Sequence, residues 1–329
     1  MQTIGPQLSV LVVSYQTREL TLACLRSLLA ETSSVDMEVL VLDNDSSDGS
    51  AAAIAEEFPE LTLFALDENL GFGAANNFLA EKAQGERLLL LNPDTVVLHA
   101  AVDNLWHFAN SHAKARLWGG RTLFADHGLN PSSCWGAPTP WSAFSLGLGL
   151  ARAFPRSAIF HPEGLGAWKR DSVREVPIVS GCFLMIDQDL WDELQGFHPD
   201  FFMYGEDADL CLRARIHGAR PLINPDATII HYGGASERGV RAGKMVRLFT
   251  AKAQLYRKFW GKFAALFGLW TLDLWTLVRC FAFWVLGILG KGSPASRESW
   301  REIWKGRGAW HTAFRKTKPY KPSGGGRFS

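Results

Sequence analysis

The chain reads as an α/β protein: a mixed, mostly parallel sheet flanked by helices, followed by a C-terminal amphipathic and hydrophobic helical region. Three observations predict this. The first 120 residues alternate short apolar runs with helical patterns. Four consecutive leucines, Leu88 to Leu91, suit a strand buried on both faces. Residues 263–290 are almost wholly apolar, with only Asp273 and Arg279 charged.

Taken in order, Leu8–Val13 is the first expected strand. A helix follows over roughly Arg18 to Ala30, with Leu20, Cys24, Leu25 and Leu28 on one face and Thr17 as its N-cap. Glu38–Leu42 is the second strand. It runs into Asp43-Asn44-Asp45-Ser46-Ser47-Asp48-Gly49-Ser50, a turn-rich stretch that opens a helix to about Glu57. Leu61–Leu66 is the third strand, and Asn69-Leu70-Gly71-Phe72-Gly73 opens a helix to about Ala83. Arg87–Leu91 is the fourth strand. It delivers Asn92-Pro93-Asp94 at its carboxyl end, where open α/β sheets place their ligands. Residues 124–175 show no clear period. Regularity returns with a strand near Gly181–Ile186, helices from Gln188 to about Leu194 and from Glu206 to His217, and a strand near Leu222 or Ile229. The Gly324 to Gly326 end is expected to be disordered.

The net charge of +1 conceals an asymmetry. Residues 1–237 carry 15 Lys/Arg against 30 Asp/Glu, residues 238–262 carry 8 basic and no acidic residues, and residues 291–329 carry 10 against 2. An acidic body with a basic end implies contact with a polyanion. The five cysteines (Cys24, Cys134, Cys182, Cys211 and Cys280) have neither zinc-ligand nor redox spacing, so reduced cytosolic thiols are expected. The N-terminal apolar run lacks a basic flank and is too short for a signal peptide, which points to the cytoplasm.

Six stretches in order resemble the glycosyltransferase family 2 enzymes of the GT-A (Rossmann-like) fold. They are Val12-Val13-Ser14-Tyr15, Val41 to Gly49, Asn69 to Asn77, Leu91-Asn92-Pro93-Asp94, Gly181 to Met185, and Gly205-Glu206-Asp207-Ala208-Asp209-Leu210-Cys211. The Asn-Pro-Asp form looks most like the rhamnosyltransferase-like branch. There the donor is often dTDP-rhamnose and the acceptor a polyprenyl-linked or cell-surface glycan. The resemblance implies an inverting, metal-dependent hexosyltransferase. Its GT-A domain would cover 1–235, with a nucleotide-binding half (1–120) and an acceptor half (121–235) that includes a variable acceptor-facing excursion. Residues 236–329 would be the basic, membrane-associating helical region.

Each residue's expected role follows from the chemistry of a sugar nucleotide. The departing diphosphate needs a cation, and Mg²⁺ or Mn²⁺ takes one or two carboxylates plus phosphate oxygens. Asp94 fits that ligand role. Family members often carry Asp where this chain has Asn92, which could coordinate through its amide oxygen, bond the ribose, or simply cap a helix with Pro93 at its first position. By resemblance Asp43 accepts the N3–H of a uracil or thymine ring, and Tyr15 stacks on that ring; a turn carboxylate is the alternative for Asp43, as for Asp45 and Asp48. Asn69, Gly71, Gly73 and Asn76 belong to a loop running into a helix, where the backbone can approach a phosphate or sugar; a plain loop and cap would look alike. Asp207 is the expected general base toward the acceptor hydroxyl, with Glu206 binding acceptor or orienting it. Acidic residues in a first helical turn also suit the helix dipole, as Asp209 does. His231 is the candidate second metal ligand, or a structural histidine.

A bilayer-spanning helix needs about 20 mostly apolar residues, and 263–290 has the length. Its two charges favour a different placement. On a helical wheel Gln254, Lys258, Lys262, Asp273, Thr276, Arg279 and Cys280 fall in one arc, interrupted by Ala265 and Leu269. A helix or helical pair in the membrane interface is expected, its polar stripe outward, with the basic flanks on anionic lipid. The whole then reads as a peripheral or monotopic enzyme on the cytoplasmic face of the inner or plasma membrane. Its partners would be a nucleotide-sugar donor, a glycan or polyprenyl-linked acceptor and an anionic membrane surface, with no nucleic acid. Three alternatives stay open for function: a UDP-hexose or UDP-HexNAc donor, a non-catalytic nucleotide- or polyanion-binding protein, and a sugar-nucleotide hydrolase or pyrophosphorylase-like enzyme. For 263–290 the alternatives are a true span and a core helix pair packed on the GT-A body.

Overall fold

A computed structural model of the chain describes residues 5–233, 241–291 and 293–322. The glycine-rich end at Gly324 to Gly326 lies outside the described residues. In chain order the elements begin β1 (Leu8–Ser14), α1 (Arg18–Glu31), β2 (Met37–Asn44), α2 (Ser50–Glu57), β3 (Thr62–Leu66), α3 (Gly71–Ala80), β4 (Arg87–Leu91), β5 (Thr95–Val97), α4 (Ala101–Ser111) and β6 (Leu117–Leu123). The middle of the chain adds the short strands β7 (Leu129–Asn130) and β8 (Cys134–Trp135) and the helices α5 (Pro140–Leu148) and α6 (Leu150–Ala153). Next come β9 (Arg174–Glu175), β10 (Ile178–Val179), β11 (Phe183–Asp187), α7 (Gln188–Leu194), α8 (Glu206–Ile216) and β12 (Leu222–His231). The chain closes with α9 (Arg241–Phe259), α10 (Lys262–Ile288), α11 (Pro294–Lys305) and α12 (Gly308–Lys316).

These residues form two compact units, one of 5–135 with 169–233 and one of 136–168 with 241–322. Charge divides with them. The first holds 13 Lys/Arg against 28 Asp/Glu, and the second 19 against 4.

The first unit is built on a sheet of order β3-β2-β1-β4-β11-β6-β12-β5. Its first four strands are parallel, with Ser14 opposite Asp43 and Leu11 opposite Leu90. β11 then enters antiparallel between β4 and β6. β1 and β4 are buried along their whole length, as their unbroken apolar runs require. Leu22, Leu25 and Leu28 of α1 and Leu105 and Trp106 of α4 join Val10, Val12, Val41 and Leu89 in the core. The strand order reverses between β1 and β4. In a parallel sheet that switch point opens a crevice beyond the strands' carboxyl ends. Tyr15 follows β1 there, and Asn92-Pro93-Asp94 follows β4.

Two local expectations change. Thr17 makes no side-chain bond to the amides of α1; its hydroxyl meets Thr21 Oγ1 at 3.1 Å instead. No helix starts at Asn92, because the chain goes straight into β5, which pairs with β12. The capping role for Asn92 is thereby removed.

The second unit takes in residues from the expected acceptor half. Residues 136–168 group with the C-terminal helices. α5 starts with a reciprocal capping box between Thr139 and Ser142. Gly147 lets that helix approach the Thr271 carbonyl, which would lie 3.1 Å from a Cβ at this position. Glu163 accepts from Lys252 Nζ at 2.7 Å and from Ser142 Oγ at 2.7 Å. Phe249, Tyr256, Leu272, Ile303 and Trp310 form the apolar core of this unit.

The polar stripe of the C-terminal segment does not face outward. α9 and α10 are separate helices, and Gln254, Lys258 and Thr276 are buried. Asp273 accepts from Trp310 Nε1 at 3.0 Å and pairs with His311 Nε2 at 2.9 Å. Arg279 stacks over Trp275 and Trp300. α11 and α12 fold back over Asp273, Arg279 and Cys280, and Lys262 stays exposed. α10 is long and apolar enough to cross a membrane, by length and composition.

Candidate active site

The carboxyl edge of the parallel strands gathers most of the expected residues of the first unit. Asp43 is the penultimate residue of the buried run of β2 and is 3% exposed. Its Oδ2 accepts from Ser46 N at 3.0 Å, which closes the turn after the strand. Its Oδ1 is buried without a partner. Tyr15 stands one residue beyond Ser14, the register partner of Asp43, and is exposed. A half-satisfied carboxylate beside an exposed ring suits a planar ligand that donates one hydrogen bond. Asp48, by contrast, is a turn carboxylate that accepts from Arg18 N and Ser50 N.

Asn44, which sequence reasoning passed over, ties this edge to α3. Its Nδ2 donates to Asn69 Oδ1 at 3.0 Å and its Oδ1 accepts from Leu70 N at 2.9 Å. Asn69 Oδ1 also takes Gly71 N at 2.8 Å. Asn76 donates to the Phe72 carbonyl from a buried position inside α3. At Gly71 φ is +78°, and a Cβ would lie 2.8 Å from the ring and carbonyl of Phe202. At Gly73 the nearest atoms belong to Phe197 and Phe201. The glycines of this loop therefore admit the 197–202 segment. Asn77 clamps that segment from both sides, donating to the Phe197 carbonyl at 2.9 Å and accepting from Phe197 N at 2.8 Å.

The Asn92-Pro93-Asp94 turn is fixed by its backbone. Asn92 N donates to the Cys182 carbonyl at 3.1 Å. The Asn92 carbonyl accepts from Thr95 Oγ1 at 2.7 Å and from Cys24 Sγ at 3.5 Å. Burial pushes the Cys24 thiol up to about 12. All five cysteines are free thiols. His231 ends β12 opposite Thr95 and brings its Nε2 to 3.3 Å from Asp94 Oδ1 and 3.4 Å from Asn92 Nδ2. Burial pulls the His231 pKa down, but neighbouring Cys182 and Asp94 outweigh it and raise it to about 10. Asn92 Oδ1 and His231 Nδ1 are buried without partners.

Among the described residues no three His, Cys, Asp or Glu side chains cluster for a metal. The set at this turn still fits a hard divalent ion. The Asp94 carboxylate and the unpartnered Asn92 Oδ1 would leave the remaining positions to phosphate oxygens and water, the oxygen-rich pattern preferred by Mg²⁺ and Mn²⁺. His231 could join only by releasing the proton that its raised pKa holds.

Asp207 opens α8 behind Gly205, whose φ of +86° turns the chain into the helix. Its Oδ2 accepts from Gly181 N at 3.2 Å and its Oδ1 from Ala208 N at 2.7 Å. Burial raises its pKa above the usual carboxylate range despite those amides. Burial, and then the charge of Asp207, push Glu206 up to about 8, and Glu206 Oε2 is buried without a partner. Asp209 is structural. It holds Arg213 at 2.7 Å, and Arg213 donates to the carbonyls of Leu194 and Gly196, which anchors α8. Gly181, bonded to Asp207, is followed by Cys182, bonded to Asn92. The Asp207 and Asp94 segments thus hang on adjacent residues of one strand lead-in.

Comparison with known proteins agrees with this geometry. The model of "Glycosyl transferase family 2" matches residues 9–176, and that of "Glycosyl transferase family group 2" matches residues 167–301. The O-antigen biosynthesis protein RfbC of Myxococcus xanthus is 27% identical over 71% of this chain, which spans only 18% of that protein. The N-acetylglucosaminyl-diphospho-decaprenol L-rhamnosyltransferase of Mycobacterium tuberculosis is 27% identical over 60% of this chain and 66% of its own length. Rhamnosyltransferase WbbL of Escherichia coli is 29% identical over 51% of this chain and 63% of its own. Among solved structures, the mannosyltransferase PcManGT from Pyrobaculum calidifontis, in complex with GDP-Man and Mn²⁺, has a TM-score of 0.54 at 18% identity, covering 95% of this chain and 87% of that one. That likeness supports the GT-A fold. The chain belongs to glycosyl transferase family 2 and resembles its rhamnosyltransferase-like branch.

Proposed function

We propose that the sheet-bearing unit catalyses inverting transfer of a sugar from a nucleotide donor, dTDP-rhamnose, to a lipid-linked or cell-envelope glycan at the cytoplasmic face of a membrane. The observation that carries this reading is that the Asn92-Pro93-Asp94 turn, through Asn92 N, and the Asp207 carboxylate are bonded to consecutive residues, Cys182 and Gly181. Asp43 takes the imide N–H of the base through its orphaned oxygen while Tyr15 covers the ring. Asp94, with Asn92 and His231, would hold Mg²⁺ or Mn²⁺, which would supply positive charge to the departing diphosphate. Asp207 accepts the proton of the acceptor hydroxyl as its oxygen bonds to the anomeric carbon. The bond from that carbon to the diphosphate breaks, and the nucleoside diphosphate leaves. Glu206 lies beside Asp207, its carboxyl pushed up by burial and then by the charge of Asp207.

The lipid-linked acceptor is suggested by what the mycobacterial relative's name says it acts on. The donor is tested with a panel of sugar nucleotides in product assays with Mg²⁺ and Mn²⁺. A dTDP-rhamnose preference is expected. A UDP-hexose or UDP-HexNAc preference would overturn the donor, and donor consumption faster without acceptor would overturn transfer itself.

A further inference from the structure

We infer that the helical unit docks on an anionic lipid bilayer through the exposed face of α10, with that helix lying in the membrane plane and not crossing it. The inference deepens the membrane association proposed above and rests on that reading for its purpose. Phe263, Trp270, Leu277, Phe281, Trp284 and Ile288 are all exposed, at 45–86% of full accessibility. Their spacings of 7, 7, 4, 3 and 4 residues put them on one helix face. Ala265, Gly268, Leu272 and Thr276 lie on the opposite face and are buried. α10 thus presents a row of large apolar side chains outward, while Leu269 and Leu272 pack inward among Ala265, Gly268, Thr271 and Thr276. That distribution suits an apolar surrounding.

Charge selects the occupant. This unit carries 19 Lys/Arg against 4 Asp/Glu. A cleft of about 360 Å³ at the α11–α12 junction is lined by Lys305, Arg307, Gly308, His311 and Arg315, with no acidic side chain. Apolar rings together with a basic surface match the acyl boundary and the phosphates of an anionic leaflet.

Packing selects the orientation. At 1.5 Å per residue α10 is about 40 Å long, enough to cross. Its inner face, however, is covered along its length. Trp310 and His311 of α12 bind Asp273, the Trp300 carbonyl of α11 meets Cys280 Sγ at 3.3 Å, and Arg297 Nη1 would lie 3.0 Å from a Cβ at Gly287. α11 exposes Arg297, Glu298, Arg301 and Glu302. A crossing would carry those charges into hydrocarbon. In-plane immersion buries the apolar stripe alone.

The test is co-flotation of the full chain with phosphatidylcholine vesicles, with and without phosphatidylglycerol. Binding to the anionic vesicles is expected, weakened by salt and lowered at least about tenfold in the double variant Phe281→Glu, Trp284→Glu. Circular dichroism establishes that this variant is folded. Orientation is read from Lys262→Cys and Lys291→Cys, made separately in a Cys280→Ala background and labelled in sealed membrane vesicles from expressing cells with an impermeant maleimide. Both positions are expected to label from the same side. Labelling from opposite sides would overturn the in-plane arrangement. Absence of flotation, or flotation of the double variant at the native level, would overturn the docking. A dimer that the double variant dissociates, without lipid binding, would make this face a contact between copies instead. Turnover on a soluble acceptor, measured in parallel, separates failure of docking from failure of sugar transfer.

Discussion

Asp207 and Gly181 are joined by a hydrogen bond of 3.2 Å from the glycine amide to the aspartate Oδ2, and the residue after Gly181 holds Asn92 through its own carbonyl. A Cβ at Gly181 would lie 3.3 Å from the Phe72 ring and 3.6 Å from Asp207 Cβ, so Asp207 is seated against backbone. Asp207→Asn has one acceptor oxygen in place of two, so it keeps the bond from Gly181 N, gives up the one from Ala208 N, and removes the basicity. The variant is expected to keep a cooperative unfolding transition and to lose on the order of 10²-fold or more in kcat. Thermal unfolding and steady-state kinetics check this.

Glu206 makes stability depend on pH in a stated direction. In the unfolded chain it ionises near 4.5, and in the fold it keeps its proton to about 8. The native state holds that proton more tightly between the two values. Stability therefore falls as pH rises through this window and levels off above about 8. Glu206→Gln should remove this contribution, so its melting temperature relative to native is higher at pH 9 than at pH 5. Each 1 kcal/mol corresponds to about 2–4 °C for a unit of this size. Differential scanning calorimetry at the two pH values reads the difference.

Gly71→Ala places a methyl in a left-handed conformation and against Phe202. The backbone alone costs about 1–2 kcal/mol, and the overlap adds to it. A lower melting temperature is expected, by about 2–4 °C for each kcal/mol. Unchanged melting would mean that the 197–202 segment does not press on this glycine.

Asn77→Ala removes both bonds to Phe197. Loss of a buried two-way amide clamp costs about 1–3 kcal/mol. Because the clamped segment leads into Glu206 and Asp207, kcat should fall more than the donor's KM rises.

Much of this was readable in local patterns. The apolar runs of β1, β2 and β4 announce buried parallel strands, and the place of Asp43 and Asp94 at the carboxyl edge of those strands follows from them. The antiparallel entry of β11 between β4 and β6 was not readable, because strand direction is set by contacts far apart in sequence. Asn44 and Asn77 gave no signal beyond being amides near glycines, since their partners lie 25 to 120 residues away. The polar stripe of α10 was visible on the helical wheel, but its facing was not. Asp273 and Arg279 look like water-facing groups until Trp310, His311 and Trp300 fold back onto them. Residues 136–168 have no period of their own because Lys252, Thr271 and the rest of the C-terminal helices complete their packing.

Calorimetric titration of the donor nucleotide in the presence and absence of Mn²⁺, paired with a transfer assay on the same preparations, tests the division of labour between the two carboxylates most directly. Asp94→Ala should lose the metal-dependent part of nucleotide binding, while Asp207→Asn should bind within about threefold of native and fail to transfer. Native metal-dependent binding by Asp94→Ala, or near-native turnover by Asp207→Asn, would contradict the account.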